Sequence, residues 1–96
     1  MDTIQTIELI AINPAVRGGR PYIVGTTVTV ADIAIAKVFR MLDADSIADW
    51  FDLSLPQVYD AFAYYYHHKT AIDRESAERR KLAAAIRRLE QVFELI

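Results

Sequence analysis

The chain has no cysteine, only three glycines and three prolines, and only two histidines among its 96 residues. Without cysteine there is neither a disulfide framework nor a thiolate metal site, which fits the reducing cytoplasm we expect as its compartment. The two histidines, His67 and His68, are adjacent. Neighbours on a helix point about 100° apart, so they cannot share a metal as residues four apart do. No apolar run approaches the ~20 residues that a membrane span needs, so no membrane partner is expected. The opening Met1-Asp2-Thr3-Ile4-Gln5 has neither the basic start nor the apolar core of a secretory signal.

Catalytic patterns are missing as well. The serines are Ser46, Ser54 and Ser76, none of them on a glycine-rich elbow beside a histidine and a carboxylate. Gly18-Gly19-Arg20 is not followed by the Lys-Ser/Thr pair of a phosphate loop. Asp43 and Asp45 lie close together but without the glycine and terminal glutamate of a calcium loop. We therefore expect no enzyme, no metal and no cofactor. A further absence carries the most information. From Met41 to His68 there is no lysine or arginine, whereas Asp43, Asp45, Asp49, Asp52 and Asp60 all fall there.

The composition that remains is globular: 53% hydrophobic and 25% charged, with a net charge of −2. A chain of this length forms one domain, 1–96, and buries only ~60–65% of its unfolded surface, so self-association is expected to support it. All three glycines and two of the three prolines lie between positions 14 and 25, confining a small β element to a β-rich part over 1–30. Ile7 to Ile12 is one strand candidate. Tyr22 to Val24 and Thr27 to Val30, flanking Gly25-Thr26, form a tight hairpin candidate.

Three helices are predicted over 30–72. Thr29 and Asp32 form a capping box for the first, whose Ile33, Ile35, Ala36, Val38, Phe39 and Leu42 make it apolar on most sides. A short second helix ends at Phe51, with Ile47, Trp50 and Phe51 facing inward. Ser54 and Gln57 cap the third, with Pro56 in its first turn and Val58, Ala61, Phe62 and Tyr65 on one face. The fold class is thus mainly α: a three-helix helix-turn-helix (homeodomain-like) core, a small N-terminal β hairpin or sheet, and an added C-terminal helix over 73–96. That last helix either continues the third or restarts at a Thr70/Asp73 box. Its Leu82, Ile86, Leu89, Phe93 and Ile96 alternate spacings of four and three, a short a/d seam.

Two sets of residues point to a resemblance. The first is Asn13-Pro14, Gly19-Arg20-Pro21, Ile23, Gly25-Thr26 and Val30. The second is Leu53-Ser54-Leu55, Val58-Tyr59, Ala61-Phe62-Ala63, Tyr64-Tyr65, His68 and Ile72-Asp73. Over roughly Ile7 to Arg74 the chain resembles the bacterial "domain of unknown function" family 433, grouped with helix-turn-helix domains and antitoxin-like. It departs at Thr27, where members commonly carry arginine, and at Asp43 or Ala44, in place of a glycine that ends the first helix. The resemblance implies a cytoplasmic antitoxin of a toxin–antitoxin pair, inhibiting a PIN-like ribonuclease and repressing its own operon as a homodimer.

The residues themselves leave the contacts open. Tyr64 and Tyr66 flank the buried Tyr65 and either meet a partner or pack on the last helix. The seam Leu82, Ile86, Leu89 and Phe93 either docks on an acidic partner, closes a homodimer, or packs on its own domain. Operator DNA would be met by Gln57 on the third helix and by the basic block Arg79, Arg80, Lys81, Arg87 and Arg88. Asp60 on the third helix opposes DNA there. A fold that reads DNA here carries charges that DNA repels.

Overall fold

A computed structural model describes residues 9–94. The chain runs β1 (Ile10–Ala11), a short 3₁₀ turn (Arg17–Gly19), β2 (Tyr22–Ile23), then α1 (Val30–Val38), α2 (Ala44–Phe51), α3 (Leu55–His67) and α4 (Lys69–Glu94). The strand expected from Ile7 begins, within the described residues, at Ile10; Ile7 itself lies outside them, as does Ile96 of the seam. β1 and β2 pair antiparallel, Ile10 opposite Ile23 and Ala11 opposite Tyr22. The expected hairpin across Gly25-Thr26 shrinks to a single Tyr22–Thr29 bridge, supported by Ile23 N–H donating to Val28 carbonyl at 2.9 Å. Its second strand is lost because Thr29 caps α1, so the chain turns helical at Val30.

The caps form as their side-chain chemistry dictates. Thr29 Oγ1 accepts from Asp32 N–H at 3.1 Å while Asp32 Oδ2 accepts from Thr29 N–H at 2.9 Å. Ser54 and Gln57 form the same reciprocal pair at the start of α3. Asp43 caps α2 by accepting from Ser46 N–H at 2.8 Å, and that bond holds its carboxyl below the usual carboxylate range. Asp52 ends α2 in the left-handed conformation (φ 55°), leaving the three residues Asp52–Ser54 between α2 and α3. After α1 the left-handed position falls on Met41 (φ 56°), two or three residues earlier than the Asp43 or Ala44 expected to replace a glycine.

α1 is the central helix because both of its sides are covered. Ile33 and Ala36 pack with Ile23, Ile47 of α2, and Val58 and Ala61 of α3. Val30, Ala31 and Ala34 pack with Tyr65 of α3 and Ile72 of α4. These are the three helices and helix-turn-helix core that the apolar spacing predicts. Some expected core residues lie outside it. Trp50 is 67% exposed, and Val38 and Phe39 are about half exposed. On a helix as short as α2, Ile47 and Phe51 share one side and reach the core, whereas Trp50 stands three residues from Ile47 on the edge of that stripe.

The C-terminal helix starts afresh, but at Lys69 and not at Asp73. His68 interrupts the two helices with φ −129° and ψ 36°, its N–H shared between the carbonyls of Tyr64 (3.0 Å) and Tyr65 (3.1 Å). The expected Thr70/Asp73 cap is absent. Asp73 accepts instead from Tyr65 Oη at 2.7 Å and from Lys69 Nζ at 2.6 Å. These two bonds hold the Asp73 carboxyl low, Lys69 contributing most, and Asp73 in turn raises Lys69. A carboxylate depressed in the fold stabilises it above its ordinary pKa near ~3.9 and loses that contribution as pH falls through the lower folded value. Accordingly, Asp73→Asn is expected to lower the melting temperature at pH 7 and to flatten its fall between about pH 5 and pH 2. An unchanged acid limb in thermal melts of the variant would refute this.

Candidate interaction surface

Five ionic side chains, Arg17, Arg20, Asp32, Glu75 and Arg79, tie the N-terminal turn, α1 and α4 together. Asp32, beyond its capping bond, accepts from Arg17 Nη1 at 3.3 Å and is hydrogen-bonded by Arg79 Nη1 of α4. Arg17 also donates to Thr27 carbonyl at 2.8 Å. Next to them, Arg20 Nε stands 3.3 Å from Glu75 of α4, whose carboxyl burial pushes up against the pull of Arg20. Ile72, Ser76 and Arg79 thus form the side of α4 that lies on the body. That attachment ends at the level of Arg80, whose guanidinium lies 3.7 Å from the centre of the Phe39 ring.

Beyond Arg80 the helix leaves the body. From Lys81 to Glu94 every residue but Ala84 is exposed. At 1.5 Å per residue this is about 21 Å of helix in solvent, and it accounts for the 67 × 28 × 24 Å shape of the molecule. Along it Leu82 is 62% exposed, Ile86 47%, Leu89 60% and Phe93 73%. Of the three uses left open for this seam, packing on its own domain is excluded for the described residues. A free helical segment this short is marginal in water, and an apolar stripe of this size on it calls for a covering surface.

The remaining candidate residues separate into engaged and free. Gln57 accepts at its side-chain oxygen from both the Ser54 N–H at 2.8 Å and the Ser54 Oγ–H at 3.2 Å, so both lone pairs are engaged and the oxygen that a bidentate contact to adenine requires is taken. Arg79 is held by Asp32, and Arg80 is exposed but stacked on Phe39; Lys81, Arg87 and Arg88 are the exposed cations of the basic block beyond that stack. Tyr64 is partly covered, its ring stacked on His68 with centroids 4.1 Å apart. Tyr66 is exposed. His67 and His68 join no cluster able to hold a metal among the described residues.

One patch is missed by the periodicity. Phe39, Met41 and Trp50 stand exposed beside Arg40 and Arg80, with the Arg40 guanidinium 5.4 Å from the Trp50 ring centre. Of these, Trp50 and Arg40 line a cleft of about 200 Å³ whose walls also include Asp32 and Arg79. Exposed tryptophan and arginine together are typical of protein interfaces. The lone tryptophan on so short a helix, with Arg40 four residues before Ala44, was the available signal.

The class is thus a helix-turn-helix domain of the homeodomain-like arrangement, extended by a projecting amphipathic helix. The chain belongs to the family described as a protein of unknown function (DUF433), whose match spans residues 10–65. This is narrower than the resemblance over Ile7 to Arg74, and it leaves Tyr66 and all of α4 outside the family match. No curated protein and no solved structure matches the chain. No helix among the described residues is long and apolar enough to cross a membrane.

Proposed function

We propose that this chain is a non-enzymatic, antitoxin-like cytoplasmic protein that binds and inhibits a PIN-like ribonuclease and forms a homodimer. The observation that carries the reading is the bare half of α4, with its Leu82–Ile86–Leu89–Phe93 face and the exposed Arg87 and Arg88 beside it. A helix of this kind binds by laying its apolar face in a groove, anchored at residues three and four apart. The flanking arginines complement the carboxylates that a metal-dependent nuclease gathers at its active centre. Tyr66 and the Trp50 patch are further aromatic surface for such a contact.

The alternative, a helix-turn-helix regulator on operator DNA, draws support from the fold and from the exposed Lys81, Arg87 and Arg88. It is weakened by α2 and α3, which contribute Asp45, Asp49 and Asp60 but no lysine or arginine of their own, and by the engagement of Gln57 in a cap. Phosphate contacts supply most non-specific DNA affinity, so an acidic reading helix forfeits it.

Co-expression with the product of the adjacent gene tests the first reading. A co-eluting complex that loses ribonuclease activity is expected, and Leu89→Glu is expected to weaken it by about thirtyfold or more, the scale of a buried interface anchor near 2 kcal/mol. A neighbour that is no nuclease and does not co-elute, with the chain retarding its own upstream DNA at low salt, would replace this reading with the second.

A further inference from the structure

We infer that the bare seam of α4 is covered, in the free protein, by the same seam of a second copy running antiparallel. Three observations select this occupant and this direction. The first is the seam itself. Ile86 and Phe93 stand at a positions and Leu82 and Leu89 at d positions, and an antiparallel pair stacks a on d. A two-fold axis between residues 87 and 88 therefore places Leu82 against Phe93 of the second copy and Ile86 against Leu89, with each layer repeated by symmetry. All four layers are apolar. Ala85 and Val92 close one edge of the contact with small or branched side chains.

The second observation is charge. By helical spacing Arg80, Arg87, Glu90 and Glu94 lie along the other edge of the seam, cations in the first half and acids in the second. Reversing one copy brings this edge against itself end for end, so Glu90 meets Arg87 of the second copy and Glu94 meets Arg80. A parallel pair would set the same edge against Ala85 and Val92, leaving both glutamates unmatched. Opposed helix dipoles favour the antiparallel pair as well.

The third is space. The side of α4 that lies on the body, through Ile72, Ser76 and Arg79, runs on into the seam at Leu82 and Ile86. The body therefore occupies the place that a parallel second helix, with its own body, would need. In the antiparallel register the second helix carries its Glu94 to the level of Lys81 and Arg80, where the body begins. The contact is isologous and closed, so it stops at two copies. It spans only about two heptads, which makes the association reversible and concentration-dependent. A paired copy is not free to offer this face to the proposed nuclease, so the two associations compete.

The experiment uses the purified full chain alone, so its result is independent of the nuclease reading. Sedimentation over a concentration series is expected to show a mass rising from that of the 10.9 kDa chain toward twice that value. Leu89→Glu, on an exposed stretch away from the core of the body, is expected to stay monomeric with the cooperative melt of the body retained. Glu90→Arg should weaken dimerisation at least tenfold, and Arg87→Glu with Glu90→Arg should restore it. Because the chain has no cysteine, direction can be read by a short bismaleimide. Leu82→Cys mixed with Phe93→Cys is expected to cross-link, and neither variant alone, since like positions stand about 16 Å apart along an antiparallel pair. A monomer at every concentration, a dimer that survives Leu89→Glu, or cross-linking of Leu82→Cys alone would each overturn the inference.

Discussion

Replacing Asp32 with alanine is expected to lower the stability of the fold by roughly 2.5–4 kcal/mol, the sum of a lost helix cap near 1 kcal/mol and charged hydrogen bonds near 1.5–3 kcal/mol. The carboxylate is only 12% exposed and serves three elements at once: it caps α1 through Thr29, holds Arg17 of the N-terminal turn, and anchors Arg79 of α4. Its removal strands two guanidinium groups that are 33% and 28% exposed. The expected melting shift is about 10 °C or more, at roughly 4–8 °C per kcal/mol for a domain of this size. Asp32→Asn separates the contributions. Its amide oxygen can still accept the Thr29 N–H, so it should retain the cap and lose the charge, with a cost between wild type and alanine. Circular-dichroism melts of both variants provide the check. Equal, small shifts would mean that the ionic cluster adds nothing to the fold.

The second large effect contrasts two neighbours on α2. Ile47→Ala is expected to cost roughly 2–5 kcal/mol, the range for emptying a buried aliphatic site. Ile47 has no exposed surface and joins α2 to Ile33, Val58 and Ala61. Trp50→Ala, three residues on, is expected to cost no more than about 1 kcal/mol, the scale of an exposed cation–π contact. It is two-thirds exposed, with the Arg40 guanidinium lying over its ring. Were Trp50 part of the core, as apolar spacing alone would place it, the loss would be roughly 3–5 kcal/mol. Urea unfolding of the two variants decides between these outcomes. A Trp50 variant as unstable as the Ile47 variant would move the tryptophan into the core.

Functional consequences follow from the same geometry. Asp32 sets the place where α4 parts from the body, and so how far the apolar face of Leu82, Ile86, Leu89 and Phe93 stands out. The Trp50 patch borders the same junction through Arg79 and the Phe39–Arg80 stack. Surface and stability are coupled there. A change that loosens Arg79 alters the base of the projecting helix without touching its seam.

Much of the fold was legible because it is written in local chemistry. Thr29 with Asp32 and Ser54 with Gln57 satisfy backbone groups within four residues of themselves, so their partners are visible in the sequence. The stripe of Val58, Ala61 and Tyr65 is likewise a property of one helix. Less legible was the start of α4, because the break at His68 rests on backbone angles and not on a helix breaker. The left-handed turn at Met41 was missed because methionine gives no sign of positive φ. The β pairing shifted because Tyr22 and Ile23 had two possible neighbours, and Thr29 was already committed to a cap.

The candidate surface divides in the same way. Sequence by itself determined that the last helix has an apolar side and a basic block, since both depend only on residue identity and a 3.6-residue period. It also determined that α2 and α3 carry no cation for DNA. Only the tertiary structure decided which part of that apolar side is covered, because burial depends on where the neighbouring elements end. The body stops at Arg80, so Ile72 is core and Leu82 is surface, although both are aliphatic side chains on one amphipathic helix. It likewise separated Arg79 from Lys81: a carboxylate 47 residues away, Asp32, takes one and leaves the other in solvent.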